Sequence, residues 1–423
     1  MAPGPAPGPA PAGLARFAAL APLRHRDYAL VFTAAFVSSV GSWLQAVAVG
    51  VLVTELTGQA GWTGLVAAAA FLPLGLLSPI GGAMADRVDR RRWLLWTTVG
   101  ETAFAAALAV LTATGHVNAP VLTLVVLGGG SMTALALPAF QAVLPDLVPR
   151  DQLLAASSLG LAQYNLGRVV GPALAGVVLA LGSYTWAFAL NAASFGAVIL
   201  ALVLVRFPPA TPDAEQGGIW ARIVTGARAA RQDRGCRLAI LTISVVAILM
   251  SPFIALIPAV AAKVFGDEKT GASVLITAQG VGAVGGALAL ASLANRYGRR
   301  RVLTASIAAL PFTVIAYGLA PNLALGTAAL VAVGMAYVGV LSGLGTVVQL
   351  RAPAELRARI LSLYMVALGV IYPLGAVVHG FLGDRIGLRT VTAGGAVAFL
   401  AIVVVARVAR PRLPDAFEDP MAS

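Results

Sequence analysis

Residues 82–92 read GAMADRVDRRR, and residues 291–301 read ASLANRYGRRR. The arginines of the two stretches coincide when residue 86 is paired with residue 295, an offset of 209 in a chain of 423 residues. Each stretch follows the second apolar segment of its half of the chain. A single arginine cluster carries little information, but two copies at equivalent places indicate an internal duplication. The sequence therefore predicts two tandem halves with the same architecture.

The composition excludes a soluble protein. Hydrophobic residues make up 59% of the chain and charged residues only 11%, whereas soluble globular proteins carry about 25% charged residues. The mean hydropathy of +0.88 also excludes disorder, because a disordered chain has low hydrophobicity. Such a chain must place most of its surface in a lipid bilayer.

Twelve apolar segments are long enough to cross a bilayer, which takes about 20 residues in a helix. The sequence therefore predicts an all-α membrane protein with twelve transmembrane helices in two six-helix halves. The expected spans are 29–53, 61–85, 93–114, 119–143, 153–181, 184–205, 238–262, 271–294, 302–320, 323–349, 360–383 and 388–408.

The basic residues lie almost entirely on one side of these spans. Of the 29 Lys and Arg residues, only Lys263, Lys269, Arg385 and Arg389 fall on the other side, and only Arg168 lies deep within a span. Basic residues accumulate in cytoplasmic loops, so we expect a multi-pass protein of the cell membrane with both termini in the cytoplasm. The net charge of +12 then reflects topology, and no nucleic-acid partner is expected.

The chain divides into five expected regions. Its first residues are rich in Pro, Ala and Gly, which predicts disorder, and they lack the pattern of a signal peptide. Between the halves, Trp220, Ile223, Val224 and Ala227 share one face of a helix whose other face carries arginines. This pattern predicts an amphipathic helix at the membrane surface, with a calmodulin- or nucleic-acid-binding helix as the alternative. The regions are a disordered tail (1–22), a first six-helix half (23–206), a cytoplasmic linker (207–237), a second six-helix half (238–410) and a tail (411–423).

The first arginine stretch resembles a signature of the major facilitator superfamily, G-x-x-x-D-R-x-G-R-R, in the loop after the second helix. Asp89 stands in the place of the usual Gly, and the second stretch keeps the pattern less completely. In the fifth predicted helix, residues 167–176 read GRVVGPALAG, which resembles the G-x-x-x-G-P-x-x-G-G signature of the antiporters of that superfamily. Resemblance to a branch with enterobactin exporters and macrolide efflux proteins lies in segments 41–45, 56–58, 144–156 and 186–191.

The resemblance implies a conformational latch at the arginine stretches. In the superfamily, the Asp and Arg of this signature contact the region of the eleventh helix and hold the outward-open state; a plain topology signal is the alternative. The implied latch residues are Gly82, Asp86, Arg87, Asp89, Arg90, Arg91, Asn295, Arg296, Gly298, Arg299 and Arg300.

The antiporter signature implies a tightly packed and kinked fifth helix that seals the cavity. Small residues let helices approach closely, and a proline bends a helix by removing one backbone hydrogen bond. The residues of this motif are Gly167, Gly171, Pro172 and Gly176.

The resemblance also implies a function, which is proton-coupled efflux of a small amphipathic molecule such as a drug, an antibiotic or a siderophore. The alternatives are a facilitator or importer of the same fold, and a membrane receptor or scaffold that transports nothing. The proton gradient would supply the energy, so no cofactor is expected. The expected partners are the small-molecule substrate, protons and the lipid bilayer, and the chain is expected to act as a monomer.

Ionisable groups inside the spans are candidates for coupling, because a charge at mid-membrane is costly and usually faces a partner or a wet cavity. Arg168 and Glu101 are the two charged residues firmly within the spans, and an ion pair between them stays open. For Arg168 the alternative is a structural pin between helices. His379 is a third candidate, since histidine titrates near neutrality, with hydrogen-bonded packing as its alternative. Polar residues on the expected cavity helices are Ser42, Gln45, Thr133, Gln141, Ser251, Tyr337, Ser342 and Gln349.

The sequence contains no catalytic or metal-binding motif in the structural context that such a motif requires. Residues 280–285 read GVGAVG, which satisfies the dinucleotide pattern G-x-G-x-x-G but lies inside an apolar helix without a preceding strand. The single cysteine, Cys236, excludes an intramolecular disulfide and a cysteine-based metal cluster. The chain is therefore not expected to be an enzyme.

Overall fold

The computed structural model describes residues 20–205, 207, 219–353 and 356–418, and all regular structure within them is helical. Twelve long helices are numbered α1 to α12 here, and a shorter linker helix separates α6 from α7. The first six are α1 (Arg26–Thr57), α2 (Ala60–Arg87), α3 (Arg90–Ala113), α4 (Ala119–Asp146), α5 (Leu153–Ala180) and α6 (Tyr184–Leu204). The linker helix is Ile219–Gln232. The last six are α7 (Arg234–Val245, Val246–Met250 and Pro252–Phe265), α8 (Gly271–Tyr297), α9 (Arg299–Gly318), α10 (Leu323–Arg351), α11 (Arg357–Val366, Ala367–Ile371 and Tyr372–Ile386) and α12 (Leu388–Ala409).

Eleven helices in the described part of the chain are long and apolar enough to cross a membrane. The twelfth long helix, α5, is not among them, because Gln163, Asn165 and Arg168 lower its hydropathy. It nevertheless packs into the bundle between α1 and α8. The prediction of an all-α membrane protein is confirmed, and the observed helices begin and end within a few residues of the expected spans.

The first six and the last six helices pack in matching pairs. In the first set, α2 contacts α4, α3 contacts α6, and α1 contacts both α5 and α6. In the second set, the equivalent pairs α8–α10, α9–α12, α7–α11 and α7–α12 are in contact as well. This correspondence of contacts is what a duplication of one six-helix unit predicts.

The two sets of helices meet along the pairs α2–α11 and α5–α8. Near the start of α2, a side chain on Gly64 would overlap the carbonyl of Ala376, and further along Gly75 lies against Gly369. About two turns later, a side chain on Gly82 would approach only a proline of α4. The first segment of α11 packs instead against the linker helix, α7 and α10. The two sets therefore touch at the end where α2 begins and separate at the end with the arginine stretches. We call these the opposite end and the basic end.

Both α7 and α11 contain a π-helical turn near the middle of the bundle, at Val246–Met250 and Ala367–Ile371. A proline follows each turn, Pro252 in α7 and Pro373 in α11, and the two π-turns contact each other. Prolines and π-turns are usual causes of sharp helix bends. Two interruptions of the second half thus lie side by side.

The linker helix packs against α7 and the first segment of α11 at the basic end. It matches the position of the predicted amphipathic helix, but the side chains of Trp220, Ile223 and Val224 lie outside the described part, so its place at a membrane surface stays a prediction. Beside it, Arg351 donates to the Asp233 carboxylate from Nε at 2.9 Å and from Nη2 at 2.8 Å. The linker and α10 are thereby tied together.

Candidate functional site

Asp384, in the last turn of α11, joins the two halves at the opposite end. Its carboxylate oxygens accept hydrogen bonds from the backbone N–H groups of Ala60 at 2.8 Å and Gly61 at 2.7 Å, the first two residues of α2. Lys263, near the end of α7, donates to the same carboxylate at 3.0 Å. The first N–H groups of a helix lack intrahelical partners and carry partial positive charge, so the carboxylate satisfies both. We call these four residues the Asp384 seal.

The sequence around this seal repeats the signature of the first arginine stretch. Residues 380–389 read GFLGDRIGLR, which keeps the Gly, the Asp, the first Arg, the second Gly and the last Arg of G-x-x-x-D-R-x-G-R-R. The signature glycine is Gly380, where a side chain would meet the carbonyl oxygen of Ala60 at 2.6 Å. Its missing side chain lets the start of α2 come close, and Asp384 one turn later binds the exposed N–H groups. At residues 380–389 the signature therefore contacts the first residues of α2.

The first arginine stretch binds within its own half instead. Arg90 forms an ion pair with Asp146 of α4 at 2.9 Å, and Arg91 donates to two carbonyl groups at the end of α6. Arg87 is exposed. The side chain of Asp86 lies outside the described part, so the latch contact with α11 stays a prediction.

The second arginine stretch binds the C-terminal tail. Arg300 forms ion pairs with Asp415 at 2.7 Å and with Glu418 at 3.1 Å. Gly298 joins α8 to α9 with φ of 86°, a left-handed conformation that favours glycine. At the equivalent place of the first stretch, Asp89 begins α3 by accepting a hydrogen bond from the backbone, which explains how an Asp replaces the usual Gly. The remaining residues of the second stretch are exposed, namely Asn295, Arg296 and Arg299.

The glycine motif lets α5 pack closely against helices of both halves. Side chains on Gly167 or Gly171 would overlap residues of α1, and one on Gly176 would lie 3.1 Å from a serine of α8. Pro172 is buried within the helix. The motif therefore packs closely, as expected, and its role in sealing the cavity stays a prediction.

Arg168 lies in α5 where α1, α5 and α8 meet. Its Nη2 donates to Oε1 of Gln279 in α8 at 2.7 Å, and its Cζ lies 5.5 Å from the centre of the Trp43 ring in α1. Its Nε and the Nε2 of Gln279 are buried and have no hydrogen-bond partner among the described residues. One turn towards the basic end, Tyr164 is half exposed and its ring contacts that of Trp43 edge to face at 6.0 Å.

Glu101 and His379 lie away from Arg168. Glu101 accepts a hydrogen bond from Thr133 at 2.6 Å, between α3 and α4, so the ion pair with Arg168 that the sequence left open is not formed. His379 is 7% exposed and packs against Gly395 of α12. That position agrees with the packing alternative for His379, while a part of Glu101 in coupling stays a prediction.

The expected cavity residues fall into two groups. Gln45 accepts a hydrogen bond from Asn191 of α6 at 2.9 Å, and Ser251 is bonded to the Tyr337 hydroxyl at 2.8 Å. Each pair connects two helices of the same half. The pairing gives each polar side chain the hydrogen-bond partner that a buried polar group needs. The members with exposed side chains are Ser42, Thr133, Gln141, Ser342 and Gln349.

Sequence analysis missed three residues of these sites, Asp384, Gln279 and Trp43. A signal for Asp384 was present, because residues 380–389 carry the signature pattern. The match between the two halves does not reveal it, because that match pairs two loops at the basic end, whereas residues 380–389 lie at the opposite end. Gln279 interrupts an apolar span, which is a weaker signal, and nothing local distinguishes Trp43.

The chain is similar to known proteins over most of its length. A family model described as a transmembrane secretion effector matches residues 17–423. The multidrug efflux pump Tap of Mycolicibacterium fortuitum is 29% identical over 398 residues, which cover 91% of this chain and 96% of that protein. Macrolide efflux protein A of Streptococcus pyogenes is 25% identical and covers 84% of this chain and 88% of its own. The enterobactin exporter EntS of Citrobacter koseri is 33% identical over 193 residues, 44% of this chain and 45% of that protein.

Solved structures with the same fold are transporters. A point mutant of the nucleoside transporter NupG aligns with a TM-score of 0.72 at 15% identity, covering 90% of this chain and 99% of its own. A bacterial homologue of the human lysosomal transporter Spinster, solved in an inward-facing and unoccupied conformation, aligns with a TM-score of 0.67 at 15% identity, covering 93% and 97%. At these identities the likeness establishes the fold.

Proposed function

The chain belongs to the transmembrane secretion effector family of the major facilitator superfamily, and from this premise we propose that it exports a small amphipathic molecule from the cytoplasm in exchange for protons. It is a multi-pass membrane protein and a secondary transporter that performs efflux. The exchange for protons and the cytoplasmic location of both termini belong to the proposal.

One observation carries the proposal, namely the similarity to the efflux pump Tap over nearly the whole length of both chains. The geometry supports it, because export requires a pathway that opens alternately at its two ends. In the described state the halves touch at the opposite end through the Asp384 seal and separate at the basic end.

We place the basic end and both termini in the cytoplasm, since Lys and Arg accumulate in cytoplasmic loops. The Asp384 seal then faces the outside, and the described state is open to the cytoplasm, where an exporter collects its substrate. We also propose that the chain acts as a monomer.

In the proposed cycle, opening of the Asp384 seal and engagement of Asp86 with the start of α11 expose the substrate to the outside. A carboxylate at a helix start stabilises it by about 0.3–1 kcal/mol when exposed, and by up to about 2 kcal/mol in partly buried geometries. Such contacts shift the two populations by modest factors, which leaves both states accessible during a transport cycle.

We propose Glu101 as the proton-coupling group. Arg168 cannot carry the proton, because a guanidinium does not lose its charge in proteins. Glu101 is the remaining charged residue firmly within a span, and its hydrogen bond from Thr133 links α3 to α4. Protonation of Glu101 would remove the charge of the acceptor and weaken the hydrogen bond from Thr133. The contact between α3 and α4 would thereby respond to the proton gradient.

The test uses proteoliposomes that carry the purified chain with its basic end facing outward. The lumen is acidified, radiolabelled erythromycin, fluorescein or rhodamine 123 is added outside, and accumulation is measured with and without a protonophore. We expect accumulation of at least one compound against its gradient, abolished by the protonophore and by Glu101→Gln. Equilibration without a gradient would indicate a facilitator, accumulation under the reversed gradient an importer, and no movement of any compound a receptor or scaffold.

A further inference from the structure

The surroundings of Arg168 combine buried hydrogen-bond donors with aromatic rings. We propose that Arg168, Gln279 and Trp43 form the anchoring site for the substrate, and that the substrate carries an anionic oxygen group on an aromatic or apolar body. This inference rests on the proposed function and names the substrate class of that transporter.

Charge is the first support. Within the described residues, none of the ion pairs involves Arg168, and the side chain to which it donates a hydrogen bond there is the neutral Gln279. A cation at mid-membrane is kept only where a partner or a wet cavity offsets its cost. A substrate oxyanion would supply that partner, and a guanidinium binds a carboxylate through two parallel hydrogen bonds.

Unsatisfied donors are the second support. Buried polar groups nearly always have a hydrogen-bond partner, yet Nε of Arg168 and Nε2 of Gln279 have none among the described residues. The Gln279 side chain is 1% exposed, so bulk water does not account for it. Both free atoms are donors, which selects an acceptor-rich ligand and disfavours an ammonium.

The aromatic rings are the third support. Trp43 lies under the guanidinium, and Tyr164 continues the aromatic surface towards the basic end, where the halves separate. Aromatic rings offer apolar area with little conformational freedom to lose. A ligand that enters from the basic end would meet these rings with its apolar body and the arginine with its oxygen group.

The test compares two dyes with the same xanthene body and opposite charge, fluorescein and rhodamine 123, by fluorescence anisotropy with the purified full chain. We expect fluorescein to bind at least about tenfold more tightly, which corresponds to about 1.4 kcal/mol. Arg168→Gln should erase this preference, Arg168→Lys should retain part of it, and Gln279→Met should weaken fluorescein binding. Arg407→Gln, an exposed arginine at the end of α12, is the matched control and should change nothing.

The inference is overturned if the wild type binds rhodamine 123 as tightly, binds neither dye, or keeps its preference in Arg168→Gln. Rhodamine 123 export driven by a proton gradient and unaffected by Arg168→Gln would overturn this site and leave the proposed function standing. Arg168-dependent fluorescein binding without transport of any compound would support the site and contradict the proposed function.

A second inference follows from a different observation, the third copy of the signature at residues 380–389. We propose that the two ends of the α2–α11 pair carry reciprocal latches with the same design, each a signature Asp on one helix that binds the start of the other. At the opposite end this is the observed contact of Asp384 with the first residues of α2. At the basic end it would be Asp86 with the start of α11.

The test measures distances between spin labels at His116→Cys and Lys269→Cys, exposed loop positions of the two halves at the opposite end. Asp384→Asn should raise the population with a long distance by about tenfold, and Asp86→Asn should lower it. The double variant should return towards the wild type, because the two sites are far apart and their effects add. Glu268→Gln, an exposed acid near the same end, is the control.

A distance distribution in Asp384→Asn that equals that of the wild type would overturn the reciprocal design. Shifts of the same sign in Asp384→Asn and Asp86→Asn would overturn it as well. Thermal unfolding of each variant identifies a loss of folding, in which case Asp384→Glu, which keeps the charge, must restore the wild-type distribution.

Discussion

Asp233 lies outside the membrane-spanning helices and forms an ion pair with Arg351 at the end of α10. Burial raises the pKa of the Asp233 carboxyl, but hydrogen bonds from Arg351 and from the backbone N–H of Cys236 outweigh burial and lower that pKa below its ordinary value. A carboxyl whose pKa is lower in the folded state stabilises the fold above its unfolded pKa, about 3.9. This stabilisation is lost as the pH falls through the folded pKa.

We therefore expect Asp233→Asn to reduce the free energy of unfolding at pH 7 by about 1.5–3 kcal/mol, the range for hydrogen bonds to a charged group. The difference from the wild type should shrink as the pH falls below about 4. Thermal unfolding in detergent at several pH values measures this. Asp415→Asn, whose side chain is 50% exposed, is the control and should have a smaller effect, because exposed ion pairs contribute little.

Arg168 allows a second prediction at the level of one residue. We expect Arg168→Ala to abolish coupled export and Arg168→Lys to keep part of it, since the charge survives while the planar fork does not. The measurement is export under a pH gradient per folded molecule. A structural pin predicts instead that the amount and melting temperature of Arg168→Ala fall in step with activity, and unchanged specific activity would remove Arg168 from the mechanism.

Whole helices were easier to predict than the contacts between them. Apolar length and charged loops are local properties, so the ends of α4, α5 and α12 agree with the expected spans to within a few residues. The Asp384 seal joins residues 323 and 324 positions apart, and no local pattern states which helix start a carboxylate will meet. For the same reason Gln45 was expected in a cavity but lies in a contact with Asn191.

The packing of α2 leads to a prediction about two glycines of one helix. A side chain on Gly64 would overlap the carbonyl of Ala376, whereas one on Gly82 would approach only a proline of α4. Gly64→Val should therefore destabilise the described state and favour opening at the opposite end. Gly82→Val should fit the described state and hinder closure at the basic end, so it should act in the other direction.

Spin-label distances across each end of the bundle measure both variants. Gly285→Ala is the matched control, because a side chain there meets nothing within 4 Å. Parallel shifts in the Gly64→Val and Gly82→Val variants would contradict the view that α2 and α11 close at one end as they open at the other.

At the scale of the whole molecule, the orientation in the membrane can be tested directly. Cys236 is fully buried, so it should stay unlabelled by a membrane-impermeant maleimide from either side. His116→Cys in the loop between α3 and α4 should react in intact cells, and Arg92→Cys at the basic end only after permeabilisation. The reverse pattern would place the arginine stretches outside and overturn the assignment of the cytoplasmic side.

The form of the Asp384 seal has a consequence for how the transporter can diverge between species. Besides Lys263, the partners of the Asp384 carboxylate are two backbone N–H groups, which every residue except proline provides. The acid at Asp384 therefore demands no particular side chain at Ala60 or Gly61, and space limits their divergence instead, since a side chain on Gly61 would lie 2.7 Å from Phe381. Purifying selection should then act on each position separately, on the acid at Asp384 and on the absence of a side chain at Gly61 and Gly380, and should leave little co-variation between Asp384 and the start of α2.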